Sequence, residues 1–211
     1  MLSDNEKRFY ARLGILIVGG AAAIYLTGKK ARSVIVGITE RPPMFIKPGL
    51  PFTKRSNVSW IGITIHHSAT KSAAATYSVL MQRQLSTHFE VDFDGSIWQY
   101  VDPSDGLAWH ATFMNSRHIG IDLTGPDPAH GGFTQAQTDS LEKLVRWLQV
   151  KYDMPALSQQ TVHPWGYDST INKSTPGYFA HANSNPQKPD PSLSASTTDS
   201  VWWDSFRSRF A

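Results

Sequence analysis

The stretch SWIGITIHHSAT, residues 59–70, decides how the rest of the chain is interpreted. Its first seven residues form a short apolar run rich in isoleucine, which is typical of a strand buried within a sheet. His66 and His67 follow at once, and a histidine at a strand end is held rigidly by the sheet and placed beside a cleft. Taken alone, two adjacent histidines favour a structural role. A catalytic or metal-binding role for them has to be argued from other residues of the chain.

The elements predicted around this strand alternate between strands and helices. Asp94-Gly95 stands between two alternating runs and favours a hairpin turn. Thr134 and Gln137 form a capping-box pattern ahead of leucines at helical spacing. The order favours an α/β (α+β) fold, a central mixed β-sheet flanked by helices, with an additional N-terminal apolar helix. We predict strands at 59–65, 89–93, 96–101, 118–123 and 157–162, and helices at 72–85, 134–148 and 201–210.

The N-terminal apolar run, LGILIVGGAAAIYLTG at residues 13–28, carries no charge and is bracketed by Arg12 and Lys29. As a helix it spans roughly 24 Å, and snorkelling basic side chains extend its reach toward the ~30 Å of a hydrocarbon core. We therefore predict a membrane-seeking helix in residues 1–32, with membrane contact through residues 13–28. A cleaved signal peptide, with residues 21–23 as its small-residue site, and a buried soluble helix are the alternatives.

Charge and composition divide the chain and exclude one class of partner. Residues 1–32 hold six lysines and arginines against two acidic residues, a balance of +4, so of the net +3 the remainder carries about −1. A nucleic-acid-binding domain needs a basic face, which this balance does not supply, so nucleic acid is excluded as the partner. Prolines and glycines indicate a Pro-rich linker at 33–57, which leaves 58–211 as one folded domain.

Residues downstream of the first strand turn the histidine pair into a candidate metal site. The chain has no cysteine, so a metal has to be bound by histidine, aspartate or glutamate. His163, His181 and Asp190 lie in a segment rich in Pro, Ser and Asn, which has little hydrophobic reason to be ordered. A catalytic zinc takes three protein ligands and leaves a fourth position for water, and two histidines with one carboxylate supply that set.

Five short motifs follow one another, in order, between residues 59 and 192. They are IHHSAT at 65–70, HFEVDFDGSIWQYV at 88–101, AWHA at 108–111, HIGIDLTG at 118–125 and KPDPS at 188–192. Together they resemble the motifs of type-2 N-acetylmuramoyl-L-alanine amidases, a family that includes phage amidase lysozymes and is related to peptidoglycan recognition proteins. The resemblance implies a zinc (Zn2+) hydrolase that cuts the amide bond between N-acetylmuramic acid and the L-alanine of the stem peptide. The N-terminal run is similar to the signal-arrest-release segments of some phage endolysins.

The resemblance also implies roles for single residues. His66 matches the first zinc ligand, and Asp190 matches the carboxylate ligand. Lys188 matches the lysine that stabilises the oxyanion of the tetrahedral intermediate. Asp122 stands where many members carry a glutamate that takes the proton of the zinc-bound water, and it is one methylene shorter than that glutamate.

The second histidine ligand has two candidates. His163 ends the strand predicted after the long helix, where the family places this ligand, and we favour it. His181 is closer to Lys188, at about the family's usual local spacing, and is the alternative. With His163 as the ligand, the segment 164–187 is an inserted surface loop, which a fold tolerates better than an insertion within a sheet.

Peptidoglycan is the partner that the resemblance implies. His110 falls where the family lines its substrate groove, and Trp109 is a bulky aromatic suited to contact glycan or peptide. We expect a phage or bacterial enzyme of cell-wall lysis that is tethered to the membrane or faces the periplasm and cell wall; the oligomeric state stays open. The alternatives are a non-catalytic peptidoglycan-binding module, a virion or membrane-anchored structural component, and a cytoplasmic muropeptide-recycling amidase. Asp190 disfavours the first of these, and the apolar N-terminal run disfavours the last.

Overall fold

A computed structural model of the chain describes residues 15–18, 21–24, 40–126, 132–188, 190–191 and 199–211. The chain divides into two compact units, Met1–Glu40 and Arg41–Ala211. In the first unit, β1 (Ile15–Val18) and β2 (Ala21–Ile24) pair as antiparallel strands. The sequence predicts a helix here, and the described residues are strands instead. Ile15, Ile17 and Val18 are β-branched, and such residues favour strands over helices.

Among the residues that the structure describes, no helix is both long and apolar enough to cross a bilayer. The rest of the apolar run at 13–28 lies outside the described residues. Membrane contact and an envelope location therefore stay predictions from the sequence, as does the division of the chain at residues 32 and 57.

The second unit is built on a six-stranded mixed sheet. The strands of this unit, inside and outside that sheet, are β3 (Met44–Ile46), β4 (Phe52–Lys54), β5 (Gly62–His67), β6 (Phe89–Val91), β7 (Ile97–Gln99), β8 (Gly106–Ala108), β9 (His118–Leu123) and β10 (Gly177–Ala180). Its helices are α1 (Ala73–Arg83), α2 (Gln135–Lys151), α3 (His181–Ser184) and α4 (Asp199–Ser208), with a 3-10 turn at Thr112–Ser116. The order in the sheet is β10-β5-β9-β6-β7-β3, and β4 pairs separately with β8. Strands β10, β5, β9 and β6 are parallel to one another, and β7 runs antiparallel to β6, which confirms the predicted mixed sheet with helices.

Alternating residues give the central strands one apolar face and one polar face. In β5, Ile63 and Ile65 belong to the main hydrophobic core, where residues of α2 and α4 also lie. Because successive side chains of a strand point to opposite faces, His66 points away from that core. Asp122 of β9 is the register partner of His66 and lies on the same face. The polar face is therefore the one on which the predicted site residues His66 and Asp122 lie.

Both long helices begin at a side-chain cap, and the cap of α2 is the one that the sequence predicts. Ser72 precedes α1, and its hydroxyl accepts from the N–H of Ala75. Thr134 and Gln137 form the predicted capping box at the start of α2. The Gln137 amide also donates to the carbonyl of Val91 in β6, which ties the first turn of α2 to the sheet.

The last strand of the sheet differs from the sequence prediction of 157–162. Strand β10 pairs with β5, while Val162 forms an isolated bridge with Tyr178 on the other side of β10. Gly177 does not interrupt the strand, because it stands at the first position and has a φ of 136° that favours glycine. A Cβ on Gly177 would lie 2.7 Å from the carbonyl oxygen of Thr161. The extra length of chain therefore precedes the last strand of the sheet, whereas the sequence prediction placed it after that strand.

Two short strands lie within the connector predicted at 33–57. Strand β3 joins the sheet in parallel beside β7, and β4 pairs antiparallel with β8. Pro42 and Pro43 precede β3 and Pro51 precedes β4, so the prolines stand outside the hydrogen-bonded ladders that they would break.

Candidate metal centre and active site

Four strands bring polar residues to one level at the carboxyl end of the sheet. His66 is opposite Asp122, and Asp122 is opposite Glu90 of β6. Ala180 is opposite Ile65, so His181 follows at the level of His66. The parallel register therefore places two histidines side by side that are 115 positions apart in the chain. Sites in open α/β sheets collect at this end of the strands.

Three side-chain atoms converge at this level: Nδ1 of His66, Nδ1 of His181 and Oδ2 of Asp190. The two nitrogens are 3.0 Å apart, and the oxygen lies 3.0 Å from His66 Nδ1 and 3.1 Å from His181 Nδ1. All three residues are buried and can together hold a metal ion. Ligand atoms around a tetrahedral zinc, with bonds of about 2.0–2.1 Å, lie about 3.3 Å apart. The triangle therefore has the size and the donor set of a zinc site.

The hydrogen positions on His66 are determined from the far side of its ring. Nε2 of His110 lies 3.1 Å from the carbonyl oxygen of His118, which can only accept, so this Nε2 carries a hydrogen. Burial and the neighbouring His66 lower the pKa of His110 well below its usual value, so the ring is neutral and its Nδ1 accepts. That Nδ1 is 3.0 Å from Nε2 of His66, which donates to it. Burial lowers the pKa of His66 to about 4, so its Nδ1 carries a lone pair.

This lone pair faces the carboxylate of Asp190. Burial acts to raise the pKa of Asp190, but the pKa is lowered overall, with the hydrogen bond to His181 as the largest opposing effect, so the carboxyl is ionised. Two electron-rich atoms 3.0 Å apart repel each other unless a positive charge lies between them. A buried carboxylate needs such a partner. The residues therefore fit a metal cation that accepts from all three atoms.

Backbone contacts hold the residues of the triangle together. The N–H of Ala182 donates to the carbonyl oxygen of Asp190 at 2.9 Å, which joins α3 to the chain that follows it. The Asn183 side chain accepts from the N–H of Ala180 at 2.8 Å and donates to the carbonyl of Pro164 at 2.7 Å. A short helix directly after β10 is thus anchored on both sides, and His181 at its start is held in place.

His110 supports His66 from behind, against strand β9. Gly120 leaves the space for this ring, because a Cβ there would lie 2.5 Å from Cγ of His110. The side-chain oxygen of Asn115 accepts from the N–H of His110 at 3.0 Å and fixes the turn. The sequence predicts a substrate contact for His110; the structure adds a contact with the candidate metal ligand.

A cavity of about 350 Å³ opens over the triangle. It is lined by the three candidate ligands together with Asp122, Lys188, Trp109 and His110, so it unites these predicted site residues. Lys188 is exposed at the rim, and Trp109 is 37% exposed with its indole N–H donating to the hydroxyl of Thr53. Asp122 is 7% exposed, and burial raises its pKa well above the usual value.

His163, the second ligand favoured from the sequence, lies outside this group. Its ring stacks on Phe179 with centroids 4.3 Å apart, and its N–H donates to the carbonyl of Tyr178. Its own carbonyl accepts from the indole of Trp203 at 2.7 Å. His163 therefore lies beside β10, whereas His181 directly continues that strand. The structure therefore brings His181, the alternative from the sequence, to His66 and Asp190, and it does not bring His163 there.

The sequence patterns do not indicate Glu90, which is fully buried at the same level of the sheet. Phe89 and Val91 flank it in the chain and point to the hydrophobic core. An acidic residue inside an apolar strand is the signal that draws attention to it, because glutamate is seldom buried without a partner.

The family model described as N-acetylmuramoyl-L-alanine amidase matches residues 56–192 of the chain. The chain belongs to this amidase family. It is accordingly an amidase that hydrolyses peptidoglycan between N-acetylmuramic acid and the L-alanine of the stem peptide, which confirms the function and the enzyme class predicted from the motifs.

Solved structures share the fold of the amidase. PlyL has a TM-score of 0.56 at 13% identity, over 80% of this chain and 96% of PlyL. The N-acetylmuramoyl-L-alanine amidase LysC from Clostridium intestinale URNW has a TM-score of 0.52 at 17% identity, over 80% of this chain and 97% of LysC. No curated protein matches the sequence of the amidase. At these identities the likeness establishes the fold, and the chemistry has to be argued from the residues of the site.

Proposed function

We propose that the amidase depends on zinc and that His66, His181 and Asp190 are its ligands. The observation that carries the proposal is the convergence of three buried potential ligand atoms, with Nδ1 of His66 lying 3.0 Å from Oδ2 of Asp190. Zinc bound there supplies a water of lowered pKa and polarises the amide carbonyl. Two histidines and one carboxylate leave the fourth position free for that water.

Asp122 is the proposed proton carrier. It lines the cavity one strand away from His66 and is almost fully buried. Burial raises its pKa, which makes the carboxylate a stronger base than an exposed aspartate. We infer that the Asp122 carboxylate takes a proton from the attacking water and returns it to the nitrogen of the leaving L-alanine.

Lys188 and Trp109 are proposed to hold the substrate. The Lys188 ammonium lies on the exposed rim of the cavity, where a positive charge stabilises the oxyanion that develops on the scissile carbonyl. The Trp109 ring is fixed by its bond to Thr53 and presents an exposed face to the cavity, suited to contact with glycan or stem peptide.

Metal content and sacculus hydrolysis of the full chain test the zinc proposal. Dialysis against a chelator is expected to remove about one zinc per chain and to stop the release of stem peptides. Added zinc restores both, whereas magnesium and calcium do not, because these cations prefer sites made of oxygen ligands. Full activity in a protein that elemental analysis finds free of transition metals would overturn the proposal.

His110→Ala tests whether His110 acts on the metal site or on the substrate. The substitution removes the acceptor that fixes the tautomer of His66, and zinc affinity is expected to fall about 10–100-fold. The measurement is competition with a chromophoric chelator, with His163→Ala as a matched histidine control outside the triangle. An unchanged zinc affinity with a raised KM would show instead that His110 serves only the substrate groove.

A further inference from the structure

A second polar network lies beneath the cleft, around the buried carboxyl of Glu90. Its Oε1 accepts from the hydroxyls of Thr76 at 2.6 Å and Thr124 at 2.7 Å. Its Oε2 is 2.8 Å from the hydroxyl of Tyr100, and that hydroxyl is 2.7 Å from the carbonyl oxygen of Ala73. Helix α1, strand β6 and the chain after β7 and β9 therefore all meet at one carboxyl.

Hydrogens can be counted at this carboxyl. Burial raises the pKa of Tyr100, so the phenol keeps its single hydrogen. The carbonyl of Ala73 can only accept, so it takes that hydrogen. The contact between Tyr100 and Oε2 of Glu90 then needs a second hydrogen, and the carboxyl is the group that can carry it. All of these contacts are satisfied at once when Glu90 is a neutral acid that donates to Tyr100.

The network reaches the cleft through a chain of hydroxyls. Thr76 is 2.6 Å from the hydroxyl of Thr70, and Thr70 is 3.0 Å from the hydroxyl of Ser68. Because Thr76 gives its hydrogen to Glu90, Thr70 donates to Thr76 and Ser68 donates to Thr70. These three residues line the same cavity as the candidate zinc ligands. Ser68 and Thr70 lie in the loop between β5 and α1, so this loop is connected to Glu90 by hydrogen bonds.

The charges around Glu90 agree with a neutral acid. Burial raises its pKa to about 8, an effect that the bonds from Thr76, Thr124 and Tyr100 oppose and that the Asp92 charge reinforces. Asp92 lies on the same strand, and Asp122 is the register partner on β9. Helix α1 faces the carboxyl with the hydroxyl of Thr76. The neighbouring carboxyls of Asp92 and Asp122 thus disfavour a negative charge on Glu90, and burial outweighs the hydrogen bonds that favour one.

We propose that Glu90 is a positioning residue that works as a neutral carboxylic acid. It orients the hydroxyls of Thr76, Thr70 and Ser68 along the cleft, and it leaves Asp122 beside an uncharged neighbour. Loss of the Glu90 proton would place a second negative charge next to Asp122 and reverse the hydrogen bond with Tyr100. The active form of the cleft is therefore the one in which Glu90 holds its proton.

Glu90→Gln imitates the neutral acid, because its amide donates to Tyr100 while its carbonyl accepts from both threonines. Its kcat on sacculi is expected within about twofold of wild type at pH 7. Above pH 8 the wild type should lose activity about tenfold per pH unit as Glu90 loses its proton, while the variant lacks this loss. Glu142→Gln on α2 is the matched control and leaves the pH profile unchanged. Glu90→Leu breaks the network, and its kcat is expected to fall at least about tenfold.

The proton on Glu90 can also be followed without activity, so failure of this inference is distinguishable from failure of the zinc proposal. The infrared spectrum of wild type at pH 7 should show a protonated carboxyl band that Glu90→Gln lacks. Folding responds as well: the folded chain keeps the proton up to about pH 8, while the ordinary pKa is 4.5. Between these values the folded state binds more protons than the unfolded one, so wild type loses thermal stability with rising pH relative to Glu90→Gln.

Loss of activity in Glu90→Gln at pH 7, or a wild-type spectrum without the carboxyl band, would overturn the inference. Either result would mean that the ionised carboxylate is the working form. An alkaline loss of activity that is identical in wild type and Glu90→Gln would overturn it too, because the titrating group would then lie elsewhere.

Discussion

Replacing His181 with alanine is expected to abolish zinc binding and to lower amidase activity at least ~100-fold, more than the loss of a supporting residue around a metal costs. The reason is geometric, since Nδ1 of His181 lies 3.0 Å from Nδ1 of His66 and 3.1 Å from Oδ2 of Asp190. The substitution removes one of the three proposed protein ligands. His66 and Asp190 alone offer only two ligand atoms, too few to hold the zinc. Elemental analysis and stem-peptide release from sacculi measure both effects.

His163→Ala is the matched control for this variant. It removes the stacking on Phe179, which is expected to lower the free energy of unfolding by about 0.5–1.5 kcal/mol and to leave zinc content unchanged. Zinc loss in His163→Ala with zinc retained in His181→Ala would contradict the assignment of ligands and restore the one favoured from the sequence.

Asp122→Asn is expected to lower kcat by about 10²–10⁴-fold while zinc stays bound at the wild-type level. The amide keeps the shape of the carboxyl at the end of β9 but cannot take a proton from water. Asp122→Glu retains a carboxylate and should keep more activity than the asparagine variant. Zinc content and kcat, measured on the same preparations, separate this role from metal binding. Should Asp122→Asn turn over sacculi at the wild-type rate, another group must carry the proton.

Much of the fold could be predicted from short-range patterns. The capping residues Ser72 and Thr134 mark the starts of α1 and α2 because a helix start is settled by a few neighbouring side chains. The core residues of β5 and β9 can also be predicted from neighbouring positions, because every second residue of a strand points to the same face. His66, Asp122 and Asp190 could be named for the same reason, as each stands in a motif that is recognisable within a few residues.

The sequence by itself thus determined the chemistry available to the amidase: imidazoles, carboxylates and no thiols, at the ends of apolar strands. Only the tertiary structure decided that His181 lies beside His66. Residues 157–162 and 177–180 were both possible as the strand next to β5, and this pairing depends on contacts between residues far apart in the chain. The neutral state inferred for Glu90 also depends on the tertiary structure. Its partners come from a helix, a loop and a neighbouring strand, and burial among them raises the free energy of its ionised form.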